Sequence, residues 1–541
     1  MMLLTLLTVF RMVVLPVQFS DRQFTQSREQ MEAMAAQAEA YFNRQFGGAT
    51  TFQFDLAPIT TLSHTLEWYG ANDGARRDVR VAEAVREAVQ AQQTQINFSL
   101  YDNDSDGSLD NVCLLAAGPI EAGGGDEKAL WPQMGWLSAS NATFRVGSKL
   151  VDRFTLCAEG RLGIFCHETA HVLGLPDLYD TDGEAEDGFG PLLGASLMDE
   201  SCLQDPPQDF GALEFEVLGL GSCEALAVGH YELQALPEGR RYLKAATANE
   251  GESFLFGVRG GGLLVYQIDR SDNPAGHSER YKADLTAKER WEQDVVNGDP
   301  DHPCARLIPA LPDAAKLSDA SFPQAGVAVF GSDSPSPFRS WKGRSVGFAL
   351  TGIRSLPDGG VAFDVIEPLA LTDLSVYQDA AIVCWKASET LKGVVGYTLC
   401  WSDGEEEFRQ ELGPDAASYT IEGLHPRTGY GLSLQVRTAG GECFSVDSDF
   451  VTKVYREGNF PYIYLNNTVR NVDGSFPVGG KLPLRVFNAT DVQEVRWSLD
   501  GRPIWPGADG RYTLQHSGRL TATVIHTDGT TETLLKEITV Q

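Results

Sequence analysis

In the stretch GIFCHETAHVLGLPDLYD, residues 163–180, two histidines, a glutamate and two aspartates interrupt what otherwise reads as an apolar helix. Residues i and i+4 of an α-helix lie about 400° apart around the axis and about 6 Å along it, so His167 and His171 present their imidazoles side by side. Two nitrogen donors can then reach one ion. Glu168 follows the first histidine, where its carboxylate stands beside such an ion and can accept a proton from water. Gly174 can take the positive φ that ends a helix, and Pro176 stops the helix from resuming. The chain turns back, and Asp177 can face the same ion. The pattern H-E-x-x-H-x-x-G-x-x-D thus supplies three zinc ligands, His167, His171 and Asp177, and leaves a fourth position for water. Glu200 and Glu214 are alternative sources of the last ligand.

A second cluster of hard oxygen donors lies in DNDSDGSLDN, residues 102–111. Asp102, Asp104, Asp106 and Asp110 fall at loop positions 1, 3, 5 and 9, with Gly107 at position 6, a spacing that folds carboxylates around Ca2+. An EF-hand needs a glutamate at position 12, and Cys113 stands there instead. The competing reading is an acidic surface turn.

These groups need elements to hold them. Met12–Phe19 reads as the first strand of a folded domain, residues 22–46 and 77–95 read as helices, and NVCLLAAG and KLVDRFTLC read as strands. After residue 225 the helices nearly vanish, and short strands broken by Gly, Pro and Asp take over. The expected domains are 1–225, carrying both clusters; 226–368, a β-rich sandwich-like region packed on the first; and 369–453 and 454–541, two all-β units. In 369–453, Trp385, Tyr397 and the run from Leu424 to Tyr430 resemble a fibronectin type III domain, in which the final tyrosine makes a corner hydrogen bond. Residues 454–541 look like an immunoglobulin-like sandwich.

Composition narrows the partners. With 43 basic against 74 acidic residues the 541-residue chain carries a formal charge of -31, which repels nucleic acid and anionic membrane surfaces. No apolar run reaches the length of a transmembrane helix. Arg11 interrupts the apolar start, so the expectation is that any export signal lay upstream. Nine cysteines without any CxxC pattern read as neither a disulfide framework nor a zinc ribbon.

HETAHVLGLPDLYD, the opening VVLPVQFSD, the segment INFSLYDNDSDGSLDNVCLLAAGPIEAGGGDEKALWP, and SLMDES followed by FGALEFEVLGL together resemble the secreted metallopeptidases of the immune inhibitor A-like family, in the metzincin group of zincins. The resemblance implies an α+β zincin/metzincin-like catalytic domain followed by all-β sandwich domains. It also implies Zn2+ on His167, His171 and Asp177, with Glu168 as general base and Met198 as an apolar floor beneath the ligands. Three departures stand out. Gln133 occupies a position where relatives tend to have histidine, Leu213 one where they tend to have tryptophan, and no tyrosine follows Met198 closely, so none is assigned to the transition state. The expected function is that of a secreted or cell-surface zinc endopeptidase acting on protein or peptide substrates. Gly123–Gly125 beside a sheet edge is a candidate substrate support, and the terminal domains are candidates for binding protein, glycan or cell surface. The alternative is an adhesion protein with a vestigial peptidase domain, against which the intact Glu168 argues.

Overall fold

The structure, a computed structural model, describes residues 8–74, 76–122, 128–181, 190–453, 461–465, 471, 474–508 and 511–541. The chain divides into two compact units: Met1–Leu226 with His230–Ala328 and Gly352–Phe363, and Ala227–Gly229 with Val329–Thr351 and Asp364–Gln541.

The first unit is organised by strands β1 (Val9–Gln18), β2 (Thr51–Leu56), β3 (Val112–Ala116), β4 (Gln133–Trp136) and β5 (Arg153–Ala158), in the order β2–β1–β3–β5–β4. All run parallel except β4, which pairs antiparallel with β5 at the edge. The strands are apolar at successive positions because both faces are covered. Phe10, Met12, Val14, Cys113, Leu115 and Cys157 face helices α1 (Arg28–Phe46) and α3 (Leu162–Leu173). Val13, Leu15, Val17, Val112, Leu114 and Leu156 share the opposite core with α2 (Val81–Gln92).

Local chemistry corrects the expected boundaries. α1 starts at Arg28 because Ser27 forms a capping box with Gln30, each side chain accepting the other's backbone N–H. α2 starts at Val81, since Asp78 at φ +47° lies outside the helical region. KLVDRFTLC is two strands, Lys149–Val151 and β5, separated at Asp152, whose carbonyl accepts from Leu137 N (2.7 Å) and whose carboxylate accepts from Ser138 N (2.7 Å).

The same unit contains a five-stranded sheet, Ser222–Ala225, Arg241–Ala246, Glu252–Arg259, Gly262–Asp269 and Ala305–Leu307. Its Leu255, Leu264, Tyr266 and Ile268 are buried in one cluster with Phe165 and Leu173 of α3.

In the second unit a three-stranded sheet (Leu369–Val376, Ala380–Ala387, Ser418–Glu422) and a four-stranded sheet (Glu407–Leu412, Val394–Ser402, Gly429–Thr438, Cys443–Val451) enclose Trp385, Tyr397, Leu424 and Tyr430. Tyr430 Oη accepts from His425 N at 3.0 Å, a corner bond of the expected kind. Val329–Thr351 belongs here too: Arg339 Nη1 lies 3.0 Å from Asp447 Oδ2, and Arg344 pairs with Asp449. The last strands, between Tyr462 and Ile538, form two further sheets around Ile463, Leu482, Leu499 and Leu520.

Candidate metal centre

Every residue of α3 from Gly163 to Leu173 is buried except His171, which is partly exposed. The helix stops at Gly174 at φ +105°, with Gly174 N donating to His171 O (3.0 Å) and Leu175 N to Ala170 O (3.1 Å). A Cβ on Gly174 would meet nothing within 4 Å, so the demand for glycine is one of backbone conformation, not space.

The turn brings three donor atoms together. His167 Nε2 and His171 Nε2 are 3.1 Å apart, and Asp177 Oδ1 lies 3.2 Å from each. Each ring's Nδ1 is matched with a backbone carbonyl, His167 with Leu197 O (3.0 Å) and His171 with Leu175 O (2.8 Å). Carbonyls accept only, so both Nδ1 atoms carry the hydrogen and both Nε2 lone pairs face inward. Asp177 Oδ1, although close to both, has no partner in hydrogen-bond geometry, and neither has the buried Glu168 Oε2. Two nitrogen lone pairs and an orphaned carboxylate oxygen at one point fit a divalent cation, and N, N, O is a zinc-type donor set.

The electrostatics agree. Burial opposes charge on both imidazoles, but the surrounding groups, Asp177 first and Glu168 among them, together outweigh it and push both histidines up. Burial likewise works against a charged Asp177, yet the two histidines hold it well below the usual carboxylate range. The centre calls for positive charge. Burial pushes Glu168 up, against the pull of His167 and His171.

Surrounding residues fix the turn. Met198 is fully buried; its carbonyl accepts from Leu178 N (2.8 Å), and its N–H donates to Ser196 Oγ (3.0 Å). Asn297 donates to the carbonyls of Leu178 (2.7 Å) and Ala305 (2.8 Å), and Asp294 Oδ1 accepts from Asp177 N at 3.3 Å. Tyr179 stacks on His167, ring centroids 6.4 Å apart; burial, then the Asp177 and Glu168 charges, push it far up. It stands two residues beyond Asp177, inside the motif itself, and not after Met198 where the resemblance leads one to expect a tyrosine.

Glu214, the alternative ligand, has both oxygens engaged: Oε1 accepts from Ser196 Oγ, and Oε2 accepts from Gly211 N (2.7 Å) at the start of helix α4 (Ala212–Leu218). The Glu200 side chain and Gly123–Gly125 lie outside the described residues. Gln133 Nε2 donates to Asp78 Oδ2 (2.9 Å), and Leu213 is fully buried.

Asp102, Asp104 and Asp106 also converge, with one oxygen of each within 4.8 Å of the others, while Asp110 lies outside this group. Asp102 accepts from Asp106 N (3.0 Å), Gly107 N (3.1 Å) and Lys149 Nζ; Asp106 accepts from Ser108 N (2.7 Å); Asp110 accepts from Asn103 N (2.5 Å). A cavity of about 610 Å³ reaches from Asp104 and Asp106 to His171, with Met134 and Trp136 of β4 and Leu218 in its wall.

The class of protein to which this centre points is the metallopeptidases. Within that class, residues 15–189 match the family model described as Immune inhibitor A peptidase M6, catalytic domain, so the resemblance expected from the motifs holds over that segment. Similar proteins include Immune inhibitor A of Bacillus thuringiensis subsp. alesti, 28% identical over 174 residues that cover 26% of this chain and 25% of that protein. Pre-pro-metalloprotease PrtV of Vibrio cholerae serotype O1 (strain M66-2) is 27% identical over 192 residues, covering 30% of this chain and 21% of that protein. The chain thus spans a quarter or less of the curated relatives it matches. Among solved structures, the fn3 domain of human collagen alpha-1(XX) chain is 19% identical, covers 17% of this chain and 90% of that one, and has a TM-score of 0.16, too low to bear on the fold.

Proposed function

We propose that the first unit is a zinc-dependent endopeptidase with a zincin/metzincin-like catalytic domain. The observation that carries the reading is the convergence of His167 Nε2, His171 Nε2 and an otherwise unpartnered Asp177 Oδ1 within 3.2 Å of one another, beside the unpartnered Glu168 Oε2. His167, His171 and Asp177 hold the ion. When bound, it supplies a Lewis acid that lowers the pKa of a water from 15.7 towards about 7 and polarises the scissile carbonyl.

The chain's own residues do the rest. The Leu197 and Leu175 carbonyls fix both histidine tautomers, so the ligands need no reorganisation. Glu168 takes the proton of the attacking water and returns it to the leaving amine, and its raised pKa brings it closer to that double task. The free side of the edge strand β4 offers backbone groups to an extended peptide, and the adjoining cavity takes a substrate side chain. Met198 floors the ligands, and Tyr179 is a positioning residue that holds Asp177.

By the same reading the protein is secreted and its substrates are proteins or peptides. His230–Ala328 supports the catalytic domain within the first unit, and 369–453 and 454–541 are fibronectin type III-like and immunoglobulin-like modules for attachment. Among the described residues no helix is long and apolar enough to cross a membrane. Asp102, Asp104 and Asp106, with Asp110 behind them, form a Ca2+ loop. The deciding measurement is zinc content alongside hydrolysis of an unfolded protein. Stoichiometric zinc with chelator-sensitive cleavage is expected, and purified chain that binds zinc but cleaves nothing would leave the adhesion reading in its place.

A further inference from the structure

The segment Asp177–Thr181 is gripped by one residue 117 positions beyond Asp177. Asp294 Oδ1 accepts from Asp177 N (3.3 Å), and the Asp294 carbonyl accepts from Thr181 Oγ1 (3.3 Å), so a single residue touches both ends of the segment. Asp294 stands in the left-handed region at φ +57°, where glycine would be the cheaper residue. The backbone there does not ask for a carboxylate; the Asp177 N–H does. Both sides of Asp294 are anchored. Arg290, fully buried on the short helix Ala287–Glu292, donates to Val295 O (3.3 Å) and to Ala275 O (2.5 Å) and His277 O (3.0 Å) of the preceding hairpin. Three residues on, Asn297 exchanges hydrogen bonds with the backbone of Ala305, at the edge of the five-stranded sheet. Asp294 is thus a fixed point, and the backbone of Asp177 is tied to it.

We propose that Asp294 is a positioning residue of the metal centre: by accepting the Asp177 N–H it sets the backbone from which Asp177 Oδ1 reaches the ion. The inference rests on reading Asp177 as a ligand. The two histidines are aimed by a helix and by the Leu197 and Leu175 carbonyls, whereas Asp177 lies past the Gly174 stop, where no helical hydrogen bond fixes it. A ligand on such a turn binds well only if its backbone is held before the ion arrives, because any freedom left must be given up on binding. Asp294 supplies that hold from the β-rich part of the first unit, so the affinity of the centre depends on residues far outside the HExxH helix.

Zn2+ alone is the probe, titrated into the metal-stripped full chain against a chromophoric chelator, with the melting temperature of the metal-free chain read beside it. Asp294→Gly removes the acceptor and relieves the backbone at once, so zinc affinity should fall about 10-fold or more while the metal-free chain melts no lower. Asp294→Asn keeps an oxygen for the Asp177 N–H and should bind zinc as the unaltered chain does. Equal affinity in all three chains overturns the inference and leaves the ligand reading intact. Weakening in Asp294→Asn as large as in Asp294→Gly also overturns it, since charge and not the hydrogen bond would then be the cause. So does a loss of affinity in Asp294→Gly that comes with a lower melting temperature of the metal-free chain, the mark of a merely structural residue. An unaltered chain that binds no zinc removes both readings. Should Asp294→Gly not fold, Asp294→Ala, which drops the same acceptor, is read for zinc affinity in its place, and affinity equal to that of the unaltered chain overturns the proposal.

Discussion

The two clusters of the first unit differ in how their oxygens are employed. At His167, His171 and Asp177 the inward-facing lone pairs have no hydrogen to receive, and Asp177 and Glu168 each keep a buried oxygen without a partner. At Asp102, Asp104 and Asp106 much of the donor capacity is already taken by backbone N–H groups of the loop and by the Lys149 ammonium. A cation entering the first centre meets side chains that are already largely out of water, whereas one entering the second must displace a lysine. Convergence of acids is therefore a weaker sign of a metal than convergence of unspent lone pairs.

The largest expected effects test the first half of this contrast. Glu168→Ala should retain its zinc while peptide hydrolysis falls at least about 100-fold, the usual scale for losing general acid–base help. Asp177→Ala should lose zinc on dialysis, because two histidines hold the ion far more weakly than three ligands. If Asp177→Ala keeps its zinc, the ligand set is wrong. Next, Tyr179→Phe should weaken zinc affinity by about tenfold, the low end for losing a partner of a ligand, with little change in melting temperature. A larger loss of stability than of affinity would make Tyr179 a packing residue.

The acidic loop should respond more mildly. Asp104→Ala with Asp106→Ala is expected to lower the melting temperature in calcium buffer by about 2–4 °C per kcal/mol of binding lost, and to leave it unchanged in excess chelator. Equal drops in both buffers point to a packing defect. Lys149→Met should tighten calcium binding, and weaker binding would break the account of a competing lysine.

The smallest effect concerns Asp78, an intermediate case, whose Oδ2 accepts from Trp131 N and Gln133 Nε2 while Oδ1 is buried without a partner. Burial, reinforced by the Glu121 charge, pushes its carboxyl up to about 7. Between about 3.9, the ordinary aspartate value, and about 7 the unfolded chain releases a proton that the folded chain keeps. Stability should therefore fall as pH rises through that window and stay level above it. Asp78→Asn should stabilise the protein by about 1 kcal/mol at pH 8 and not at pH 3.5. The same gain at both pH values would show that charge is not the cause.

What the sequence made legible was local. The i, i+4 histidines, the Gly174–Pro176 stop and the Leu424–Tyr430 corner run are each set by residues a few positions apart, and their geometry follows from helix period and backbone restriction. What stayed hidden depends on distant chain. Lys149 beside Asp102 and Arg339 beside Asp447 are separated by 47 and 108 positions, and no periodicity announces them. Tyr179 was in plain view within the motif. It was passed over because its role follows from the turn at Asp177, which spacing alone does not orient.

The Asn297 hydrogen bond to Leu178 O joins residues 119 positions apart. A chain is made from its N-terminus at about 5–20 residues per second, so a clamp on the Asp177 turn is synthesised roughly 6 to 24 s after the turn itself. For that interval the histidines exist without the residue that sets the backbone beside their third partner. On the peptidase reading proposed above, the centre lacks this clamp until residue 297 has been made, and the delay would spare the unfolded nascent chain from being the first substrate.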